Sequence, residues 1–468
     1  MKRFLTIISL FLIGFQCQTL AAVHLSNDGT GQLGIVPFYS VVDGNETHVR
    51  VMNTSDQYKA VRVNVRSADT AAQSLYSLNI YLRPHDTWRI ALLQRDGFIT
   101  GLNTDNTCTL GLTDPRKQPT DWSNHIWETG FIEVIEMGEI DPATMDFYSD
   151  YPGEVNYCGS IEQAWSNNGI WSNNPLQGLQ PATGGLQVTT ELINVAAGFS
   201  FHMPVTMLAD FYPSNTTLHT AAGSAEPNLS SGSKDSRILY DGDVVETTWN
   251  HGYEAVSALL MKQSVTNEFS LITEVRGQTE WTMTFPTLAY HLSDPDFSEN
   301  FYYPNNEVDY AAFSVEGWQT PYPCLSGHTC SSSHATKIDY LKQHTAVYNF
   351  MRYINQDDPM NLSRTDADNV YIYHVNSESW RLNPQLRKQS QSGTAHLIFT
   401  SNHPYSGDSS VTAQLTGVDT HSGKPHVYKG LPMIGFAVHF SYNDAVPAVY
   451  SRSQAHSAKR LINKIESN

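Results

Sequence analysis

Between Leu33 and Leu93 apolar residues recur at nearly every second position, and that period restricts the chain to a β architecture. The longest clean run is Val61, Val63 and Val65 alternating with Arg62, Asn64 and Arg66. Successive side chains of a strand point to opposite faces, so the run predicts a strand with a buried valine face and a wet polar face. Val49 and Val51 beside His48 and Arg50 repeat the pattern. So do Tyr76, Leu78, Ile80 and Leu82 beside Asn79, and Trp88, Ile90 and Leu92 beside Arg89. Turn residues separate these runs at Asp43-Gly44-Asn45, Asn53-Thr54-Ser55-Asp56 and Arg83-Pro84-His85-Asp86. Asn, Asp and Gly accept left-handed backbone and Pro fixes φ, as the reversal of a strand requires. Short strands at about ten-residue spacing predict an antiparallel, immunoglobulin-like β-sandwich over 23–125.

From Asn103 to Gly185 the composition turns to Asn, Asp, Gly, Ser and Trp around one strand-like segment, Phe131 to Met137, and long stapled loops are expected. Trp165-Ser-Asn-Asn and Trp171-Ser-Asn-Asn duplicate each other there, too briefly for a structural repeat. Strands are expected again at Leu186–Val195, Phe199–Leu208, Glu280–Phe285, His396–Thr400, Val411–Leu415 and Met433–Phe440. The Gly/Ser/Asn-rich stretch 214–234 reads as a linker. It divides a loop-rich β region, 126–235, from a larger β-rich domain, 236–468. Two amphipathic helices are expected in that domain, Tyr253–Lys262 with Val256, Leu259 and Leu260 on one face, and Ile338–Tyr353 with Ile338, Leu341, Tyr348 and Met351. The fold class expected is therefore mainly β, a sandwich followed by a β-rich domain with two helices.

Lys2 and Arg3, an apolar run from Phe4 to Phe15, and small residues ending at Ala21 and Ala22 read as a secretory signal peptide over 1–22. The run is about a dozen residues, shorter than the roughly 20 that span a bilayer, and no later segment is longer. The expected location is extracytoplasmic: periplasm, cell surface or medium. The chain carries 28 Lys plus Arg against 46 Asp plus Glu, a net charge of −18, and loss of Lys2 and Arg3 would make it −20. Such a surface repels nucleic acid and anionic lipid. Four cysteines follow the signal segment, and in an oxidising compartment an even number predicts two disulfides, Cys108 with Cys158 and Cys324 with Cys330.

Catalytic signatures are sparse. No Gly-x-Ser-x-Gly elbow surrounds Ser326 or Ser422, and no His-Glu-x-x-His is present. Cys324, His328, Cys330, His334 and His344 have zinc-like spacing, but outside the cytoplasm the thiols are expected to oxidise to each other, so no metal site is assigned. Glu133, Glu136 and Glu139 are expected on the wet side of a strand, with Glu133 and Glu136 on opposite faces. Asp241, Asp243, Asp294 and Asp296 offer loop oxygens of the kind calcium takes, without an EF-hand loop; no other cofactor is indicated. Trp165, Trp171, Tyr302 and Tyr303 lie in polar loops and are the candidate platform for stacking on sugar faces. The competing account places such rings in a core beneath the loops.

Gly31 to Tyr39, Arg50-Val-Met-Asn-Thr54, Leu82 to Trp88, Asp105-Asn-Thr-Cys108, Gly130 to Gly138 and Leu431 to Phe436 together resemble a family of secreted proteins of Gram-negative bacteria. The resemblance implies secretion and carries no catalytic residue. The expected function is a non-enzymatic envelope- or surface-associated protein with a glycan or envelope partner. The alternatives are a polysaccharide-active enzyme with carboxylates from distant strands, and a structural or assembly subunit.

Overall fold

The alternating runs become strands in the computed structural model, which describes residues 22–68, 74–103, 105–112, 127–143, 157–270, 272–291, 307–308, 313–314, 336–337, 345–351, 369–373, 392–399, 414–443 and 448–465. In chain order the first strands are β1 His24–Leu25, β2 Leu33–Ser40, β3 Asn45–Asn53, β4 Tyr58–Ser67, β5 Ser74–Leu82, β6 Thr87–Arg95, β7 Phe98–Asn103 and β8 Cys108–Leu110. They are followed by β9 Thr129–Ile140, β10 Leu179–Gln180, β11 Leu186–Asn194, β12 Phe199–Met203 and β13 Thr206–Ala209. They build two antiparallel sheets, one ordered β1-β13-β2-β9-β4-β5-β8 with β10 on β9, the other β12-β11-β3-β6-β7. Between the sheets lie Val61, Val63 and Val65 of β4, Ile80 of β5, Val134 of β9, Val49 and Val51 of β3, and Trp88 and Ile90 of β6. Period-2 alternation placed these side chains on one face, and burial of each contributes about 1.5–3 kcal/mol.

The polar face of the larger sheet is not wet. Arg62, Asn64, Asn79 and Glu136 are fully buried and Glu133 nearly so. Two helices where the sequence predicts loops cover part of it: α1 Tyr157–Trp165 and α2 Ile170–Asn173. Tyr157, Ile161, Ala164 and Trp171 pack there on Ala60, Tyr81, Met137 and Ile140. A disulfide between Cys108 and Cys158 ties β8 to α1, as expected. The stretch 214–234 forms neither helix nor strand, yet it is cover rather than a free linker: its His219, Leu229 and Ser233 are buried.

The remaining strands form further sheets. Asp235–Tyr240, Asp243–Thr248, Gln414–Asp419, Pro425–Lys429 and Leu461–Lys464 make one; Asn369–Tyr373, Thr345–Met351, Gln278–Thr284, Ile434–Asn443 and Ala448–Ala455 make another. The expected helix at Tyr253 is present as α3 Gly252–Leu260, with Val256, Leu259 and Leu260 buried. His251 and Glu254 close a capping box at its start, and Arg460 donates to the carbonyls of Ala258 and Leu259 at its end. The second expected helix is corrected: Thr345–Met351 is a strand, antiparallel to Gln278–Thr284 and parallel to Asn369–Tyr373. Its β-branched and aromatic residues suit a sheet better than a helix, and a neighbouring strand on each side supplies the backbone bonds. The other residues of that expected helix lie outside the described ones.

One apolar core runs through both halves of the chain, joining Val23, Leu33 and Ile135 to Ile238, Val256, Trp281 and Tyr428. Phe199 and Phe201 of β12 likewise pack on Phe436 and Phe440. The edge of β12 meets Ala448–Ala455, where the Ser451 hydroxyl donates to Ser200 O at 2.6 Å and the Ser453 hydroxyl to His202 O. Side chains thus satisfy carbonyls on an edge that would otherwise invite another strand.

Candidate functional site

Trp165 and Trp171 do come together, but beneath the surface. Trp171 is fully buried, stacked on Tyr81 at 5.6 Å, and Trp165 is half-buried 5.6 Å from Trp171. His219, from the covering segment, lies 4.6 Å from the Trp171 ring and 5.1 Å from Trp165. The exposed-platform expectation is therefore corrected for Trp171, whose ring fills the space between sheet and loop. Tyr302 and Tyr303 lie outside the described residues, as do Cys324 and Cys330, Asp294 and Asp296, and the histidines at 328, 334 and 344.

The hydrogen bonds of this cluster have a fixed direction. His219 Nδ1 lies 2.7 Å from Pro175 O, which only accepts, so Nδ1 carries the proton. Nε2 then accepts from the Tyr81 hydroxyl at 3.1 Å, and the same hydroxyl accepts from Trp165 Nε1 at 2.6 Å. Asn79 links Tyr81 to Arg62, whose guanidinium donates further to Thr220, Ala221 and Ser224. Burial drives the His219 imidazole down to about 4 and the Arg62 guanidinium down to about 10. The network holds the covering segment to the sheet.

The three glutamates of β9 are likewise not on a wet face. Glu133 accepts from Asn64 at 2.9 Å and Arg66 at 3.2 Å. Glu136 accepts from Lys59 Nζ at 2.6 Å, and the same Nζ reaches Glu139 at 3.3 Å and Thr183 Oγ1 at 3.2 Å. Uninterrupted pleating would send Glu136 and Glu139 to opposite faces; the register shift opposite Ala60 and Val61 leaves Met137 unpaired and lets both reach one lysine. A bulge has no signature in the alternation of one strand, so the sequence does not announce this cluster.

Elsewhere, Ser257 of α3 lies 2.8 Å from His291 Nε2, both buried, and the same hydroxyl bonds Thr287 and Tyr253 O. Asp419 lies 3.3 Å from His426 Nε2, whose Nδ1 meets Thr247. These groups tie core elements together, and a hairpin with His421 in its turn joins Gln414–Asp419 to Pro425–Lys429. Asp243 pairs with Lys464 at 3.0 Å. Among the described residues no group of three or more His, Cys, Asp or Glu could hold a metal ion, and no helix is long and apolar enough to cross a membrane.

An open groove of about 500 Å³ lies between β12 and Ala448–Ala455, beside the turn joining β11 to β12. Ile193, Val195, Phe199, Ser200, Val449 and Tyr450 line it. Val195 is 76% exposed and Tyr450 62%. Phe199 forms part of the apolar core below. No family model, curated protein or solved structure matches the chain.

Proposed function

We propose that this chain is a non-enzymatic extracytoplasmic protein, associated with the envelope or cell surface, that binds glycan in the groove beside Tyr450. The exposed Tyr450 ring at the mouth of that groove carries the reading. An aromatic ring with one face free and a hydroxyl at its edge offers a sugar both a stacking surface and a hydrogen-bond partner. Asn194, Ser200 and Ser451 line the same groove and are its polar residues. The signal-like segment, the Cys108–Cys158 disulfide and the acidic balance favour an extracytoplasmic setting.

The test is retention of purified protein on a panel of soluble and insoluble bacterial and plant polysaccharides, with release of reducing ends assayed in parallel. Retention without products, lost in Tyr450→Ala with the fold intact, is the expected result. Release of reducing ends identifies a polysaccharide-active enzyme instead. Retention unchanged in Tyr450→Ala places the ligand elsewhere, and no retention on any glycan refutes the reading.

A further inference from the structure

Lys59 on β4 and Glu136 on its neighbour β9 are both fully buried, with Nζ 2.6 Å from Oε1. The lysine has acceptors in Glu136, Glu139 and Thr183, and Thr183 Oγ1 in turn donates to Glu139. Charge does not balance: one base faces two acids, only Glu139 being partly exposed. Burying an uncompensated carboxylate is costly, which favours the protonated form of the Glu136 carboxyl. Burial accordingly pushes the Glu136 carboxyl above the usual carboxylate range.

The Glu136 carboxyl is also held by backbone donors, Gly184 N at 2.7 Å and Thr183 N at 3.2 Å. Gly184 and Gly185 have φ of +86° and +80°, a conformation that glycine adopts without strain, and Thr183 N–H and Gly184 N–H reach one oxygen of the carboxyl each. Donors fixed around a carboxyl carbon stabilise the negative charge that develops when an amine adds to it.

We propose that Lys59 and Glu136 become joined by an intramolecular amide cross-link, formed by the folded protein itself. Transfer of a proton within the pair gives the free amine and the carboxylic acid. The Nζ lone pair attacks Cδ, the Nζ–Cδ bond forms, and the carbonyl electrons move onto Oε2, the oxygen held by Gly184 N–H, while Oε1, held by Thr183 N–H, becomes the departing hydroxyl. Glu139 takes a proton from Nζ and delivers it to the departing hydroxyl. The Cδ–O bond breaks, and one amide and one water result, with no oxidant or reductant required. Holding amine and carboxyl in contact supplies the effective concentration such a condensation needs. The bond would join β4 and β9, neighbours inside the larger sheet, and it is independent of the glycan-binding reading.

The experiment is mass spectrometry of the purified, disulfide-reduced protein, intact and after proteolysis. The expected result is a mass one water below that of the sequence, with Lys59 and Glu136 recovered in one branched peptide. Lys59→Arg should restore the full mass, and so should Glu139→Gln if it relays the proton. Full mass in the unmodified protein, with Lys59 and Glu136 on separate peptides, overturns the proposal whether or not the variants fold. A Glu139→Gln protein still one water lighter overturns the role given to Glu139.

Discussion

Replacing His219 with glutamine should remove part of the chain's sensitivity to acid. In the fold the imidazole is neutral because burial lowers it from 6.5 to about 4. As pH falls below 6.5 the unfolded chain takes up a proton that the fold refuses, so stability drops by about 1.4 kcal/mol per pH unit until the folded group titrates near 4. Over that interval one such histidine costs the fold about 3 kcal/mol. Protonation also puts a hydrogen on Nε2, where Tyr81 donates, and so breaks or reverses that bond. The amide of a His219→Gln variant cannot titrate. The variant should therefore be less stable than the parent at about pH 7, and the gap should shrink by about 3 kcal/mol at about pH 4. Urea unfolding followed by tryptophan fluorescence reads this directly. His291, His439 and His456 are also lowered by burial, but all three are common to both proteins and cancel in the comparison. A gap that does not change with pH refutes the assignment of a neutral buried imidazole.

Cys158→Ser opens a bridge spanning 50 residues and should cost about 4 kcal/mol by loop-closure entropy, measured as a lower urea midpoint; an unchanged midpoint would show that α1 holds its place without the bond. Arg62→Met removes the donor to Asn79, Thr220, Ala221 and Ser224 and should destabilise the protein by about 3 kcal/mol. Hydrogen exchange should then rise in 219–226 while β3 and β6 keep their protection; equal protection across all three segments would disprove the role of Arg62 as anchor of the cover.

Much of the fold was legible because two periods are local. Alternation at Val61, Val63 and Val65 named the buried face of β4, and the spacing of Val256, Leu259 and Leu260 named α3. Cys108 and Cys158 paired as their positions suggested. Thr345–Met351 was misread because apolar residues at helical spacing in a short window also satisfy a strand buried between neighbours. The α1 helix was missed because its polar flanks look like loop, while its apolar residues find their partners on β4, β5 and β9.

What the sequence determined by itself is the alternating strands between Leu33 and Leu93, their inward valine face and the pairing of Cys108 with Cys158, since each depends on residues near in the chain or on pairing chemistry. The fate of the other face was decided only in three dimensions. Arg62, Asn64 and Glu136 look solvated in sequence, and they are buried because 214–234 returns to cover the first two and the backbone of Thr183 and Gly184 closes over the third. Trp171 changed from a candidate platform to a core ring for the same reason, and Glu136 met Lys59 through a bulge. Burial of a polar side chain is set by what the distant chain lays over it, and no local period encodes that.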